Sequence, residues 1–490
     1  MTLALLLLII VFELLMFTPE LWKFRKIFSV ISIVFSTTWL VAVIMIDFRS
    51  IWLILVITIF TFRIINLIRI LKERTDPNYL HKSGVKTSII LGVILLLSLL
   101  GKMFINIDSI LPVVAVLGPI GAIGVSASLV INLIKLRKNY PTSSISDKNL
   151  PTVSVCIPAR NESENLEFCI RSLLANDYPK LEILVLDDCS TDQTPEIIKK
   201  FAHDGVRFVN GKKPHSDWLP KNSAYQKLAE ESSGQYLLFC GVDTQLGTDT
   251  ITKLITLALA NHRTMVSVLP RRLTNNGVDT IIQPMRYWWE LCVPRLRKSS
   301  PPVLSTCWLI KKSSLDSNGG FSACKRSILP ERYFAKKLNN FGQYLFIKSS
   351  SLFNVETSKP MQDQRQTVLR VRYPQTHRRP ELVLLIIMFE VIVFIIPYIL
   401  FITGALHTDQ LLISMSLMAI VLNTFCHVSI VALTNPANVP IALFNFPIVA
   451  LTELILGIES MILYEFSNVD WKERNICLPV MRVVPKLPKV

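Results

Sequence analysis

The nine cysteines of this 490-residue chain form no Cys-x-x-Cys pair, and none has histidines near enough to complete a metal set. That argues against structural zinc and against a disulfide framework. Cys156, Cys169, Cys189 and Cys240 fall in the polar central block, where they read as small core residues. The first apolar run has no basic residues before it and no small-residue cleavage site, so it reads as an anchor and not as a removed signal peptide. No internal repeat relates the apolar segments, and buried charges such as Arg63 and Glu390 are few, which argues against a transporter. Charge is scarce at 18%, against 51% hydrophobic residues, too apolar a balance for a purely soluble protein.

What is present is apolar at both ends and polar between. Spans near 2–18, 27–46, 51–70, 88–107 and 110–134 precede the polar block, and candidates near 382–404, 410–433 and 439–465 follow it. Each is near the ~20 residues that cross a bilayer. The expected organisation is a transmembrane region at 1–138, a cytoplasmic domain at 139–380, two or three transmembrane helices at 381–466 and a basic tail at 467–490. Lys23, Arg25 and Lys26, then Arg69, Lys72, Arg74, Lys82 and Lys86, then Lys135, Arg137 and Lys138 mark alternate loops, whereas the other loops carry only Arg49 and Lys102. The positive-inside rule then puts the N-terminus outside and the central block in the cytoplasm of a multi-pass cell-membrane protein. The tail conflicts: three full spans would put it outside, yet Lys472, Arg474, Arg482, Lys486 and Lys489 favour the inside. The segment 439–465, with Pro440, Pro447, Glu453 and Glu459, is therefore either spanning, re-entrant or interfacial.

The net charge of +16 gathers in juxtamembrane loops and near Arg365–Arg379. That placement suits anionic headgroups or a diphosphate better than nucleic acid. Inside the central block, strand and helix alternate. Strands are expected at Val153–Pro158, Leu181–Leu186, Val206–Val209 and Gln235–Cys240, with helices at Ser163–Leu174, Glu196–Ala202 and Ala224–Glu231. This rhythm predicts a doubly wound, nucleotide-binding α/β sheet. Polar residues follow three of the strands: Pro158 to Glu162, Asp187 to Asp192, and Gly241 to Thr244. Carboxylates just past strand C-termini are where an open α/β sheet binds its ligand.

These motifs resemble the family 2 glycosyltransferases. IPARNE (157–162), LDDCSTD (186–192) and YLLFCGVDT (236–244) stand in that family's order, and the segment 218–239 is similar to the branch that glycosylates carotenoids and hopanoid-type lipids. The segment 315–342 resembles the Gly-Gly-Phe stretch and acidic base helix, QDQRQ (362–366) the Gln-x-x-Arg-Trp signature, and VDWKERNI (469–476) the Trp-Lys-Gly-Arg sequence of the tail. The resemblance implies an α/β GT-A domain between N-terminal and C-terminal transmembrane helices. It implies a membrane-bound, inverting hexosyltransferase-type enzyme that moves a sugar from a nucleotide-sugar donor, a UDP-sugar first of all, to a lipid or lipid-linked acceptor. Pro158, Ala159, Glu162, Asp187, Asp188, Lys221, Gln362 and Arg365 would bind the donor, Asp243 would hold Mg²⁺ or Mn²⁺, and Glu331 would be the catalytic base.

Three positions depart from that pattern. Gly241-Val242-Asp243 lacks the first carboxylate of Asp-x-Asp, Pro330-Glu331 replaces Glu-Asp, and Gln366 replaces the tryptophan. The last argues against the alternative of a processive polysaccharide synthase; the first two favour a catalytically degenerate nucleotide-sugar-binding scaffold. Each candidate also has an ordinary structural rival: a turn cap for Asp187 and Asp188, a turn aspartate for Asp243, a solvated helix start for Glu331. Lys221, Gln362 and Arg365 suit a plain surface too. Trp288 and Trp289, followed by Arg295, Arg297 and Lys298, suit either an acceptor-side interfacial helix or a membrane anchor.

Overall fold

The computed structural model describes residues 2–15, 24–46, 52–72, 91–96, 98–99, 107–137, 149–215, 217–273, 277–293, 301–350, 353–466, 469–472 and 474–475. They fall into two compact units, one within Met1–Val116 and one within Leu117–Tyr464 joined by the 469–475 segment.

The first unit holds helices Thr2–Leu15, Arg25–Ile46 and Trp52–Lys72 and helical turns at 91–96 and 98–99. Phe12 stacks on Phe35 with ring centroids 6.0 Å apart, and the buried Arg63 meets the buried Glu13 at 2.6 Å. Pairing is what makes a buried charge tolerable there. Arg25–Met45, and later Val113–Arg137, are long and apolar enough to cross a membrane, whereas Thr2–Leu15 has only 14 residues. Most of the expected span at 88–107 lies outside the described residues. So do Lys23, Arg49, Arg74, Lys82, Lys86, Lys102, Lys138, Arg295, Arg297, Lys298, Arg482, Lys486 and Lys489.

The second unit is built on a seven-stranded sheet. Its strands in chain order are β1 (Val153–Ala159), β2 (Leu181–Asp187), β3 (Val206–Asn210), β4 (Tyr236–Cys240), β6 (Met265–Leu269), β8 (Cys307–Lys311) and β9 (Tyr344–Lys348). They run in the order β3-β2-β1-β4-β8-β6-β9. A smaller sheet pairs β5 (Thr244–Leu246), β10 (Val355–Thr357) and β7 (Arg271–Arg272). The four expected strands are present, each within a residue of its expected limits; β1, β2 and β4 are apolar runs buried on both faces, as interior strands of such a sheet are, and β3 is the half-exposed edge. The expected sheet with helices on both faces is present, and it is mixed: β8 inserts antiparallel between β4 and β6. Antiparallel neighbours need no crossover helix, so the strand–helix alternation gives no sign of them.

Helices Leu166–Leu174 and Thr250–Ala260 cover one face of the sheet through Leu166, Ile170, Ile251 and Leu254. The other face is aromatic: Phe239 stacks on Trp308 at 4.5 Å, with Tyr225, Phe321 and Phe334 around them. The register sets Ala159 beside Asp187 and Asp187 beside Asn210, so the loops after β1 and β2 leave from one edge.

Helix Pro380–Glu390 continues through one π-helical turn, Val391–Ile395, into Ile396–His407; Gln410–Thr434 packs back against it. Pro380–His407, Gln410–Thr434 and Phe446–Glu465 are each long and apolar enough to cross a membrane. The expected 439–465 segment is broken, with a short helix at Val439–Ala442 and a long one at Phe446–Phe466. The long helix is held to the α/β block at points from Asn445 to Tyr464. Asn445, just before it, donates to Thr280 at 2.6 Å; Glu453 accepts from the Trp289 indole at 2.9 Å; Ser460 and Tyr464 donate to the carbonyls of Leu369 and Arg370 at 2.6 and 2.7 Å. Its opposite face exposes Ile448, Leu451 and Ile455.

Trp288 and Trp289 do not form an outward anchor. Trp288 is fully buried against Phe394, and Trp289 is pinned between Glu453 and the Arg372 guanidinium, 4.0 Å above its ring. Beyond the last helix, β11 (Asp470–Trp471) and β12 (Arg474–Asn475) form a small hairpin.

Candidate active site

Two strand-end turns are zipped together to make one wall of a cleft. Asn161 and Cys189 adopt left-handed backbone (φ 49° and 54°), which reverses the chain just past β1 and β2. Asn161 Oδ1 accepts from the Thr191 amide at 2.9 Å, and the Glu162 amide donates to Thr194 Oγ1 at 2.8 Å. Arg160 Nη1 donates to the Asp188 carbonyl at 2.7 Å. Asp187 is drawn into the turn, where its carboxylate accepts from the Ser190 amide at 3.2 Å, while Asp188 lines the cleft. Gly211 lets the next strand end pass close by: its amide donates to Asp187 O at 2.8 Å, and a Cβ there would come within 2.3 Å of that oxygen.

The cleft has a volume of about 190 Å³ and is lined by Pro158, Ala159, Glu162, Asp188, Lys221 and Asp243, among others. Of the expected donor and metal residues, then, it gathers these six. Gln362 and Arg365 lie elsewhere. Both are exposed on helix Met361–Gln375, and Arg365 pairs with Glu459. The helix instead presents Asp363, Gln366, Thr367 and Arg370 to the cleft, a set spaced i, i+3, i+4, i+7. Residues 362 and 365 each sit one position, about 100° around the axis, from that face. Helical phase was the signal that could have found Arg370. Arg286 and Lys359, also in the lining, come from segments with no motif of their own.

Charge in the cleft is unbalanced. Arg160, Lys221, Arg286, Lys359, Arg370 and Lys472 face Glu162, Asp188, Asp243 and Asp363. Burial pushes the Lys221 ammonium down to about 8, with Glu331 opposing the shift. Lys359 is also pushed down by burial, against the pull of Asp243, whose carboxylate is 3.8 Å away. Glu162 is pushed up to about 7 by burial, with Lys472 opposing and Asp243 reinforcing.

Glu331 opens helix Pro330–Asn340 just beyond Leu329, which lines the cleft. It is fully buried, and neither carboxylate oxygen has a hydrogen-bond partner among the described residues. A solvated helix-start glutamate is thus not what the fold provides. A buried carboxylate without partners is costly, and such a group calls for an explanation beyond stability.

Asp243 is the only carboxylate of the Gly241-Val242-Asp243 turn, and a Cβ on Gly241 would meet its Oδ1 at 2.5 Å. The described residues contain no cluster of three or more His, Cys, Asp or Glu side chains able to cage a metal. The donor set fits a hard divalent ion that shares its coordination with a diphosphate, since Mg²⁺-type sites use one or two carboxylates and complete the shell from phosphate and water.

Residues 154–319 match the profile of Glycosyl transferase family 2. They are a family 2 glycosyltransferase domain. The chain is similar to the glycosyltransferase AglE of Haloferax volcanii, 36% identical over 98 residues that make up 19% of this chain and 31% of AglE. It is similar to the poly(ribitol-phosphate) beta-N-acetylglucosaminyltransferase TarS of Staphylococcus aureus, 26% identical over 129 residues, 26% of this chain and 22% of TarS. The chain thus spans less than two thirds of either relative. Among solved structures it resembles the mannosyltransferase PcManGT from Pyrobaculum calidifontis in complex with GDP-Man and Mn²⁺, with 17% identity and a TM-score of 0.43 over 70% of this chain and 99% of that one. The transferase domain has the mixed α/β sheet and strand-end cleft of the expected GT-A class, with membrane-length apolar helices before and after it.

Proposed function

We propose that the 139–380 region binds a nucleotide sugar and transfers its sugar, with inversion, to a hydroxyl on a lipid or lipid-linked acceptor at the cytoplasmic face of a membrane. The observation that carries this reading is the buried Glu331, without a hydrogen-bond partner among the described residues, next to a net-basic cleft at the strand ends. In this reading Pro158, Ala159, Glu162 and Asp188 hold the nucleoside, and Asp187 shapes their turn. Lys221, Lys359 and Arg370 draw in the diphosphate; Arg370 takes the role the sequence assigned to Arg365, because it is the arginine on the cleft side of the helix. Glu331 accepts the proton of the acceptor hydroxyl as that oxygen bonds to the anomeric carbon. The bond from that carbon to the diphosphate breaks, and its electron pair leaves with the nucleoside diphosphate. Asp243 would hold Mg²⁺ or Mn²⁺, which supplies charge neutralisation for the departing diphosphate.

The lipid side of the proposal rests on the Phe446–Phe466 helix. Its polar face is fastened to the transferase domain, and Ile448, Leu451 and Ile455, with Phe444 before it, face outward. A helix divided this way suits the membrane interface, and an interfacial course leaves the basic tail on the cytoplasmic side.

The test uses the full chain purified in lipid nanodiscs, a panel of UDP- and GDP-sugars, and Mn²⁺, Mg²⁺ or EDTA. Metal-dependent release of nucleoside diphosphate, lost in Asp243→Ala, is the expected result. Nucleoside diphosphate binding with no release from any donor would overturn it in favour of the scaffold reading, which the missing carboxylate at Gly241 favours.

A further inference from the structure

The transferase cleft contains one basic residue from far outside the domain. Lys472 occupies the turn of the β11–β12 hairpin, with left-handed backbone at φ 47°. Both halves of the residue grip the loop after β1. Its ammonium lies 2.8 Å from the Asn161 carbonyl and 3.4 Å from the Glu162 carboxylate, and its own carbonyl accepts from Arg160 Nε at 2.9 Å. Arg160 in turn holds the Asp188 carbonyl, so the tail, the β1 turn and the β2 turn form one connected unit. The Lys472 side chain remains 23% exposed, and that exposure opens into the cleft it lines.

An ammonium carries three donors, and the described contacts use two. Its location decides which part of a ligand meets the third. Lys472 is fastened to Asn161 and Glu162 of the β1 turn, whereas Lys359 pairs with Asp243.

We propose that Lys472 is a donor-binding residue that clamps the nucleoside end of the nucleotide sugar, donating to an acceptor atom on its base or ribose while neutralising Glu162. The tail hairpin thereby completes the donor site. The inference rests on the nucleotide-sugar reading above, and its test separates the two.

Isothermal titration of the full chain with UDP and GDP in the presence of Mn²⁺, and competition by inorganic pyrophosphate, provide that test. Lys472→Ala should weaken whichever nucleoside diphosphate the wild type binds roughly tenfold, at the lower end of the range for a hydrogen bond to a charged group. Pyrophosphate should compete equally well against both proteins, and Lys472→Arg should restore most of the affinity. Unchanged nucleoside diphosphate affinity in Lys472→Ala would overturn the proposal. A parallel loss of pyrophosphate binding would overturn it too, because the contact would then be to phosphate. If the wild type binds neither UDP nor GDP, the nucleotide-sugar reading fails, and the clamp with it. Thermal unfolding without nucleotide guards against a structural explanation: a variant that melts like the wild type but gains less stability from added nucleoside diphosphate has lost a ligand contact.

Discussion

The strand-end cleft and the seam where the transferase domain meets the C-terminal helices both bury charge, but they handle it in opposite ways. In the cleft, six basic side chains face four acidic ones, and Glu331 has no hydrogen-bond partner among the described residues. In the seam, Arg372 is matched by Glu390 at 3.3 Å and by Glu453, its guanidinium lies on the Trp289 ring, and Arg332 pairs with Glu290. A buried charge that is fully paired is part of the scaffold. Charge left unbalanced at a strand end is provision for something that arrives. The two regions should therefore respond differently to mutation, the cleft in activity and the seam in stability.

The sharpest way to break this contrast is Glu331→Gln. It keeps the shape and removes the base, so turnover should fall about 10²- to 10⁴-fold, the usual contribution of a positioned general base. Nucleoside diphosphate affinity should stay near wild type and the melting temperature should not fall, because the buried carboxylate makes no hydrogen bond among the described residues and its charge is costly where it sits. Strong destabilisation instead would move Glu331 to the scaffold side of the comparison.

Arg372→Ala tests the seam. It strands Glu390 and Glu453, both nearly inaccessible, without their shared cation. Breaking a buried pair by removing one partner costs roughly 3–5 kcal/mol, so the unfolding midpoint in nanodiscs should drop clearly. Donor hydrolysis per folded molecule should survive. A variant that melts normally but has lost turnover would make the seam part of the site.

The same contrast explains what could be read from the sequence. Asp188, Glu162 and Asp243 sit within a few residues of strand ends, and a strand end is a local pattern. Glu331 could be placed at a helix start, but not its burial, because burial depends on tertiary packing, and the helix it opens packs through Phe334 and Ala335 into a core assembled from distant segments. β8 gave no cue to its antiparallel insertion, because hydrophobic runs do not record direction. The seam was least legible, since Trp289, Arg372, Glu390 and Glu453 come from four separate segments and only their packing makes them a network.

Within the cleft, pH distinguishes its cations. Lys221 is held down to about 8 by burial, so it is charged at pH 7 and neutral by pH 9. Nucleoside diphosphate affinity should fall as pH rises through 8, by about tenfold for one lost charge contact. Glu162, pushed up to about 7, acts in the same direction one step earlier, since its ionisation above pH 7 adds an anion beside the ligand. Lys221→Met should abolish the upper step of the titration and leave the lower one. A profile in which both steps persist would remove Lys221 from the diphosphate's surroundings.

Arg365 and Arg370 give the smallest and most local test, five residues apart on one helix. Arg370 lines the cleft, whereas Arg365 is half exposed and pairs with Glu459, itself partly exposed. An exposed pair contributes between zero and about 1 kcal/mol. Arg365→Ala should therefore change donor affinity and turnover by less than about twofold, while Arg370→Ala should lose roughly tenfold in nucleoside diphosphate affinity through one missing charge-assisted contact. The pair tests helical phase against motif matching. Aligned by signature, the arginine of 362–366 is the diphosphate ligand; aligned by the face of Met361–Gln375 turned to the cleft, it is Arg370. Titration of both variants with UDP and GDP decides between them, and a larger loss at Arg365 would mean that this helix rotates when the donor binds.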